Sequence, residues 1–127
     1  YTPPMPHILV IDDENEIRTM VAMILEHEGY EVTVAENGKV GMARFRAKPA
    51  DLVITDLVMP EQEGVETIIQ LRREFPQLPV IAMSGGVSRS DTYLDICRRL
   101  GVRGTLAKPF GMAELLAVVK PALEPAS

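Results

Sequence analysis

Short, mainly apolar runs alternate with helix-patterned segments along this chain, and four of the runs give way at once to a polar residue. His7–Ile11 precedes Asp12, Asp51–Thr55 precedes Asp56, Val80–Met83 precedes Ser84, and Gly104–Ala107 precedes Lys108. Near-continuous apolar runs of this length are typical of parallel strands covered by helices on both faces. Alternation of strand and helix predicts a parallel α/β sheet with right-handed crossovers. In such open sheets, ligands bind beyond the carboxyl ends of the strands. Asp12, Asp13, Asp56, Ser84 and Lys108 are therefore expected to meet at one end of one sheet.

The predicted strands are about His7–Ile11, Glu31–Ala35, Leu52–Thr55, Val80–Met83 and Arg103–Ala107. The second alternates polar and apolar residues, as an edge strand does. Between the strands, Ile17, Met20, Val21, Ile24 and Leu25 recur at helical spacing, and Gly29 stops that helix. A second helix is expected over Lys39–Ala47, ending before Pro49. A third, over Glu63–Glu74, carries Val65, Ile68, Ile69 and Leu71 and ends before Pro76. A fourth holds Tyr93, Ile96, Cys97 and Leu100. The last starts after Pro109 and holds Leu115, Leu116, Val118 and Val119.

With 127 residues, the chain has the length of one domain. Residues 7–123 form that domain in this reading, with tails at 1–6 and 124–127. Starting on Tyr1 rather than Met is expected of a processed or excised chain, and the opening residues do not read as a signal peptide. A net charge of −5 argues against direct nucleic-acid binding, which needs clustered Lys and Arg. Cys97 is the sole cysteine, so an internal disulfide and a cysteine zinc site are excluded. No apolar run reaches membrane-spanning length. A cytoplasmic location is expected.

Three carboxylates sharing one pocket repel each other unless a cation sits among them. Adjacent acids, Asp12 and Asp13, with Glu14 beside them, exceed what helix capping needs. They suit magnesium, which takes oxygen ligands and keeps several waters. An acid at the end of a buried strand is costly unless paired or liganded, which makes Asp56 a candidate nucleophile toward a phosphoryl group. Carboxylate attack on a phosphoryl donor then needs a bridging cation. Ser84 opens Ser-Gly-Gly, where the hydroxyl can bond a phosphoryl oxygen and Gly85 admits close approach. Lys108 faces acids at a strand end, where it can pair with carboxylate and phosphate. Its bond to Pro109 is one that can be cis.

Asp-Asp-Glu at 12–14, Asp-Leu-Val-Met-Pro at 56–60, Ser84 and Lys-Pro-Phe at 108–110 together resemble the receiver domain of bacterial two-component response regulators. The resemblance spans about His7 to Leu123. It implies a doubly wound, flavodoxin-like α/β fold with a five-stranded parallel sheet of order 2-1-3-4-5. It implies Asp56 as phosphoacceptor, and Asp12 and Asp13 as magnesium acids, joined by Asp56 itself and the backbone carbonyl of Val58. Ser84 becomes the switch hydroxyl and Lys108 the phosphate contact. Gly64 matches the family's glycine early in the third helix. The donor would be a phosphohistidine on a sensor histidine kinase or histidine phosphotransfer protein, or a small phosphodonor such as acetyl phosphate. The implied recipient of the signal is an output domain or protein partner, a phosphorylation-dependent dimer included.

The chain departs from that family at Thr105, where many receivers place Tyr or Phe. Val58 and Gly86 occupy the positions that flank attacking water in receivers, and neither carries a polar side chain. Other functional classes fit less well. An Asp-nucleophile phosphatase or phosphotransferase commonly has a second Asp two residues after the nucleophile, where Val58 stands. A receiver-like interaction module without phosphorylation would be marked by loss of Asp56 or Lys108, and both are present. A flavin carrier needs aromatic rings to sandwich the flavin, and the chain has no Trp.

Overall fold

Backbone pairing carries the strands onto the polar residues themselves. The computed structural model describes residues 5–57, 63–85 and 98–124. In chain order these form β1 (His7–Ile11), α1 (Asn15–His27), β2 (Glu31–Ala35), α2 (Gly38–Ala47) and β3 (Leu52–Asp56). Then come α3 (Glu63–Glu74), β4 (Val80–Gly85), β5 (Gly104–Lys108) and α4 (Met112–Leu123). The strands make one sheet of order β2-β1-β3-β4-β5, parallel throughout. This is the expected doubly wound order. The chain turns outward from β1 to β2 and returns to β3, so a crevice opens at the carboxyl ends of β1 and β3.

β1 is buried along its whole length, and its side chains alternate between two cores. Leu9 and Ile11 join Val53, Val80 and Ala82 under α2 and α3, which contribute Met42, Phe45, Ile68 and Leu71. Ile8 and Val10 join Ile54, Ile81 and Met83 under α1 and α4, which contribute Val21, Leu25, Leu115 and Val119. Each large apolar side chain so buried stabilises the fold by about 1.5–3 kcal/mol relative to exposure. Phe45 and Phe75 close the α2–α3 side, with ring centroids 4.7 Å apart.

The predicted face of α1 is the one that packs, since all five of its apolar positions lie in or against the second core. Gly29 ends that helix at φ +97°, a conformation only glycine adopts readily. The face expected of α3 is narrower than the sequence pattern. Ile68 and Leu71 are buried, whereas Ile69 is exposed, because α3 meets the sheet on a single stripe. β3 and β4 run further than their apolar residues. Asp56 pairs with Met83, Ser84 with Ala107 and Gly85 with Lys108. Ladder hydrogen bonds are made by the backbone and do not stop where side chains turn polar. The helix expected around Tyr93 and Cys97 falls almost wholly outside the described residues, as does Val58.

Candidate functional site

The first acid turn is held from the sheet. Asp12 donates its backbone N–H to the Ala35 carbonyl at 3.1 Å, which places it directly beyond β1. Its side chain is fully buried. Asp12 Oδ1 accepts the Glu14 backbone N–H at 2.8 Å, so this acid does help start α1. Asp13 and Glu14 are exposed at the mouth. Asp56, at the end of β3, is buried, and the next residue, Leu57, donates its N–H to the Met83 carbonyl at 2.9 Å.

Lys108 reaches into this cluster from β5. Its Nζ lies 2.8 Å from Asp12 Oδ2, 3.1 Å from Asp56 Oδ2 and 3.3 Å from Glu14 Oε1. The contact with Asp12 Oδ2 is an ion pair without hydrogen-bond alignment, whereas that with Asp56 is an aligned hydrogen bond. The Lys108–Pro109 bond is cis. Burial pushes the Asp12 carboxyl above the ordinary aspartate value, and the nearby Asp56 charge adds to it. The Lys108 ammonium and the Glu14 N–H pull the other way without overcoming burial. For Lys108, burial works against the charge, but the contacts with the Asp12 and Asp56 carboxylates outweigh it and hold the ammonium above the ordinary lysine value.

Asp12, Asp13, Glu14 and Asp56 each offer one carboxylate oxygen, and these oxygens lie within 4.8 Å of one another. Oxygens around one magnesium ion stand about 3 Å apart when adjacent and about 4.2 Å when opposite, given octahedral bonds of about 2.1 Å. The donor set therefore suits a hard divalent cation in chemistry, and its oxygens stand close to the spacing that one ion would draw them to. An acid cluster this dense around one ammonium also has an electrostatic demand for positive charge.

Of the residues singled out from sequence, Asp12, Asp13, Asp56 and Lys108 converge. Ser84 sits in the β4 ladder one residue ahead of Gly85, the partner of Lys108. A Cβ added at Gly85 would meet Lys108 Cδ at an ordinary 3.5 Å, so the protein itself does not require glycine there. Gly64 is different. A Cβ there would stand 2.0 Å from the Asp56 carbonyl oxygen and 2.7 Å from Leu57 Cα. The start of α3 thus rests directly on the backbone of Asp56. Thr105 is exposed, opposite Ala82.

Two residues near the site were not assigned roles from sequence. Glu14 was legible as the third acid of a run, but its reach to Lys108 was not. Arg18 donates from Nη1 to the Asp12 carbonyl at 2.6 Å. Its signal was a basic residue close to the start of a helix, where the dipole disfavours it.

The response regulator receiver domain model matches residues 8–120. A probable transcriptional regulatory protein of Picosynechococcus sp. is 39% identical over 87% of this chain and 46% of its own length. The uncharacterized transcriptional regulatory protein YkoG of Bacillus subtilis is 37% identical over 92% of this chain and 50% of its own. The chain thus spans about half the length of these curated relatives. Among solved structures, the chemotaxis protein CheY4 of Vibrio cholerae superposes with a TM-score of 0.87 at 29% identity. It covers 94% of this chain and 100% of its own.

Proposed function

The chain belongs to the receiver domain family of two-component response regulators, and from that membership and the site geometry we propose that Asp56 is its phosphoacceptor. Residues 7–123 are the receiver unit in this reading. The observation that carries it is Lys108 Nζ held at 3.1 Å from Asp56 Oδ2 inside the carboxylate cluster. An Asp56 oxygen attacks the phosphorus of the donor, forming an O–P bond. The P–N bond of a phosphohistidine, or the P–O bond of acetyl phosphate, breaks. Asp12, Asp13 and Asp56 would hold magnesium in this reading, with the Val58 carbonyl, which lies outside the described residues, as a further ligand. The bound ion would supply positive charge that offsets the repulsion between carboxylate and phosphoryl oxygens.

Lys108 trades carboxylate contacts for a phosphoryl oxygen, a charge-assisted contact of the same kind. Ser84 offers its hydroxyl to another phosphoryl oxygen. In this reading the chain gains and loses its own phosphoryl group and acts as a switch rather than as an enzyme on external substrates. Its donor is a sensor histidine kinase or histidine phosphotransfer protein. Its target is an output domain or protein partner, with no direct nucleic-acid contact from this domain. Among the described residues, no helix is long and apolar enough to cross a membrane. The proposed location is the cytoplasm.

Acetyl phosphate with magnesium should add one phosphoryl group to the wild type and none to Asp56→Asn, read by intact mass. Equal labelling of the two proteins would overturn the assignment.

A further inference from the structure

Asp12 has each of its polar atoms committed to a different piece of the protein. The N–H bonds Ala35 of β2. Oδ1 takes the Glu14 N–H, and Oδ2 faces Lys108 of β5 at 2.8 Å. The carbonyl takes Arg18 Nη1 at 2.6 Å, while Arg18 Nη2 bonds Asn15 Oδ1 at 3.3 Å. The Asp12 carbonyl and the Asp13 N–H belong to one planar peptide. Fixing the carbonyl therefore fixes the plane that carries the Asp13 N–H and Cα, so that only rotation about the Asp13 N–Cα bond and within its side chain is left to aim the Asp13 carboxylate.

We infer that Arg18 is a positioning residue for the magnesium-binding acids, acting through the Asp12–Asp13 peptide. The inference rests on the magnesium-dependent reading above and adds a residue to it. Three observations support it. Arg18 donates to a backbone carbonyl at the mouth of the site, with a charged and therefore stronger donor. A basic residue this near a helix start opposes the helix dipole, so the local energetics of α1 do not explain its presence. Its guanidinium spans two acceptors on either side of the acid turn, a geometry that a lysine cannot reproduce. A purely structural role would make Arg18 matter for stability and leave the metal affinity of the folded protein alone.

The test compares wild type, Arg18→Gln and Arg18→Lys. Calorimetric titration of metal-free protein with magnesium chloride gives affinity, urea unfolding gives stability, and amide exchange reports on residues 13 and 14 without metal. Removing groups that orient metal-binding side chains typically weakens affinity about 10–100-fold. For Arg18→Gln, which removes one such contact at one remove, the low end is expected, about tenfold. Faster metal-free exchange at the Asp13 and Glu14 amides should accompany it. Arg18→Lys should recover part of the affinity, since an ammonium reaches one acceptor. Folded Arg18→Gln binding magnesium as the wild type does would overturn the inference. Should Arg18→Gln fail to fold, Asn15→Ala releases one arm of the guanidinium. It should then weaken magnesium binding by a smaller factor, and unchanged affinity would overturn the inference equally. A wild type that bound no magnesium would instead overturn the reading on which it rests.

Discussion

Neutralising Asp12 should stabilise the metal-free protein. At an effective dielectric near 20, Asp56 within 4.8 Å costs the Asp12 charge at least about 3.5 kcal/mol. Asp13 and Glu14 are exposed and screened, so each adds about 1 kcal/mol at the same distance. The Lys108 ammonium at 2.8 Å returns about 6 kcal/mol. These terms nearly cancel, and the sign falls to desolvation, which costs a buried ion several kcal/mol. Burial is also the main reason the Asp12 carboxyl titrates above its ordinary value. In Asp12→Asn the amide oxygen can still accept the Glu14 N–H, and Lys108 keeps Asp56 and Glu14. A net gain of about 1–3 kcal/mol is expected at pH 7 in EDTA, roughly 1 M in the urea midpoint. The pH dependence has a fixed sign. An acid whose folded value is raised favours folding below its unfolded value, near 4, and loses that contribution as pH rises through the folded value. The advantage of Asp12→Asn should therefore vanish near pH 3 and grow as pH rises to 7. Magnesium should narrow it by stabilising the wild type more. Urea titrations at several pH values, with EDTA and with magnesium, decide. An Asp12→Asn protein less stable than wild type in EDTA at pH 7, or a gap independent of pH, would refute this reasoning.

Lys108→Ala removes the cation instead of an anion and leaves Asp12 and Asp56 buried without it, which should cost about 3–5 kcal/mol in EDTA. It should still bind magnesium yet show no phosphorylation-dependent change in amide exchange; loss of metal binding with the change intact would contradict the role given to Lys108. Gly64→Ala forces a Cβ onto the Asp56 carbonyl, so it should lose about 1–3 kcal/mol or more and take up phosphate slowly from acetyl phosphate. Wild-type stability and labelling in that variant would show that α3 does not rest on Asp56 in solution. The aspartyl phosphate should be long-lived, because Val58 and Gly86 carry no polar side-chain atom to orient water. Val58→Asn and Gly86→Glu should hasten its decay, and unchanged or slower decay in both would count against that.

Much of this protein is legible without coordinates because its signals are local. Continuous apolar runs mark strands buried on both faces, and the five spaced apolar positions of α1 mark the stripe that packs. The polar residues ending those runs reach one place because a parallel sheet puts all carboxyl ends on one side, so Asp12, Asp56 and Lys108 follow from alternation alone. Other features depend on how distant segments register. His7 could pass for a phosphoryl carrier in sequence. In the fold it is buried at the far end of β1, with its ring bonded to the Pro49 carbonyl and the Thr33 hydroxyl. Ile69 fits the helical pattern yet is exposed, since the width of a buried stripe is set by the surface it meets. The absolute need for glycine at Gly64 comes from α3 landing on the Asp56 carbonyl, a contact that no local pattern encodes. The same holds for Arg18 on the Asp12 carbonyl and Glu14 on Lys108. Residue type and spacing determine which side chains are buried and which end of the sheet is polar. Distances of 2.6–3.3 Å between groups from different elements are decided only when packing fixes how helices sit on the sheet.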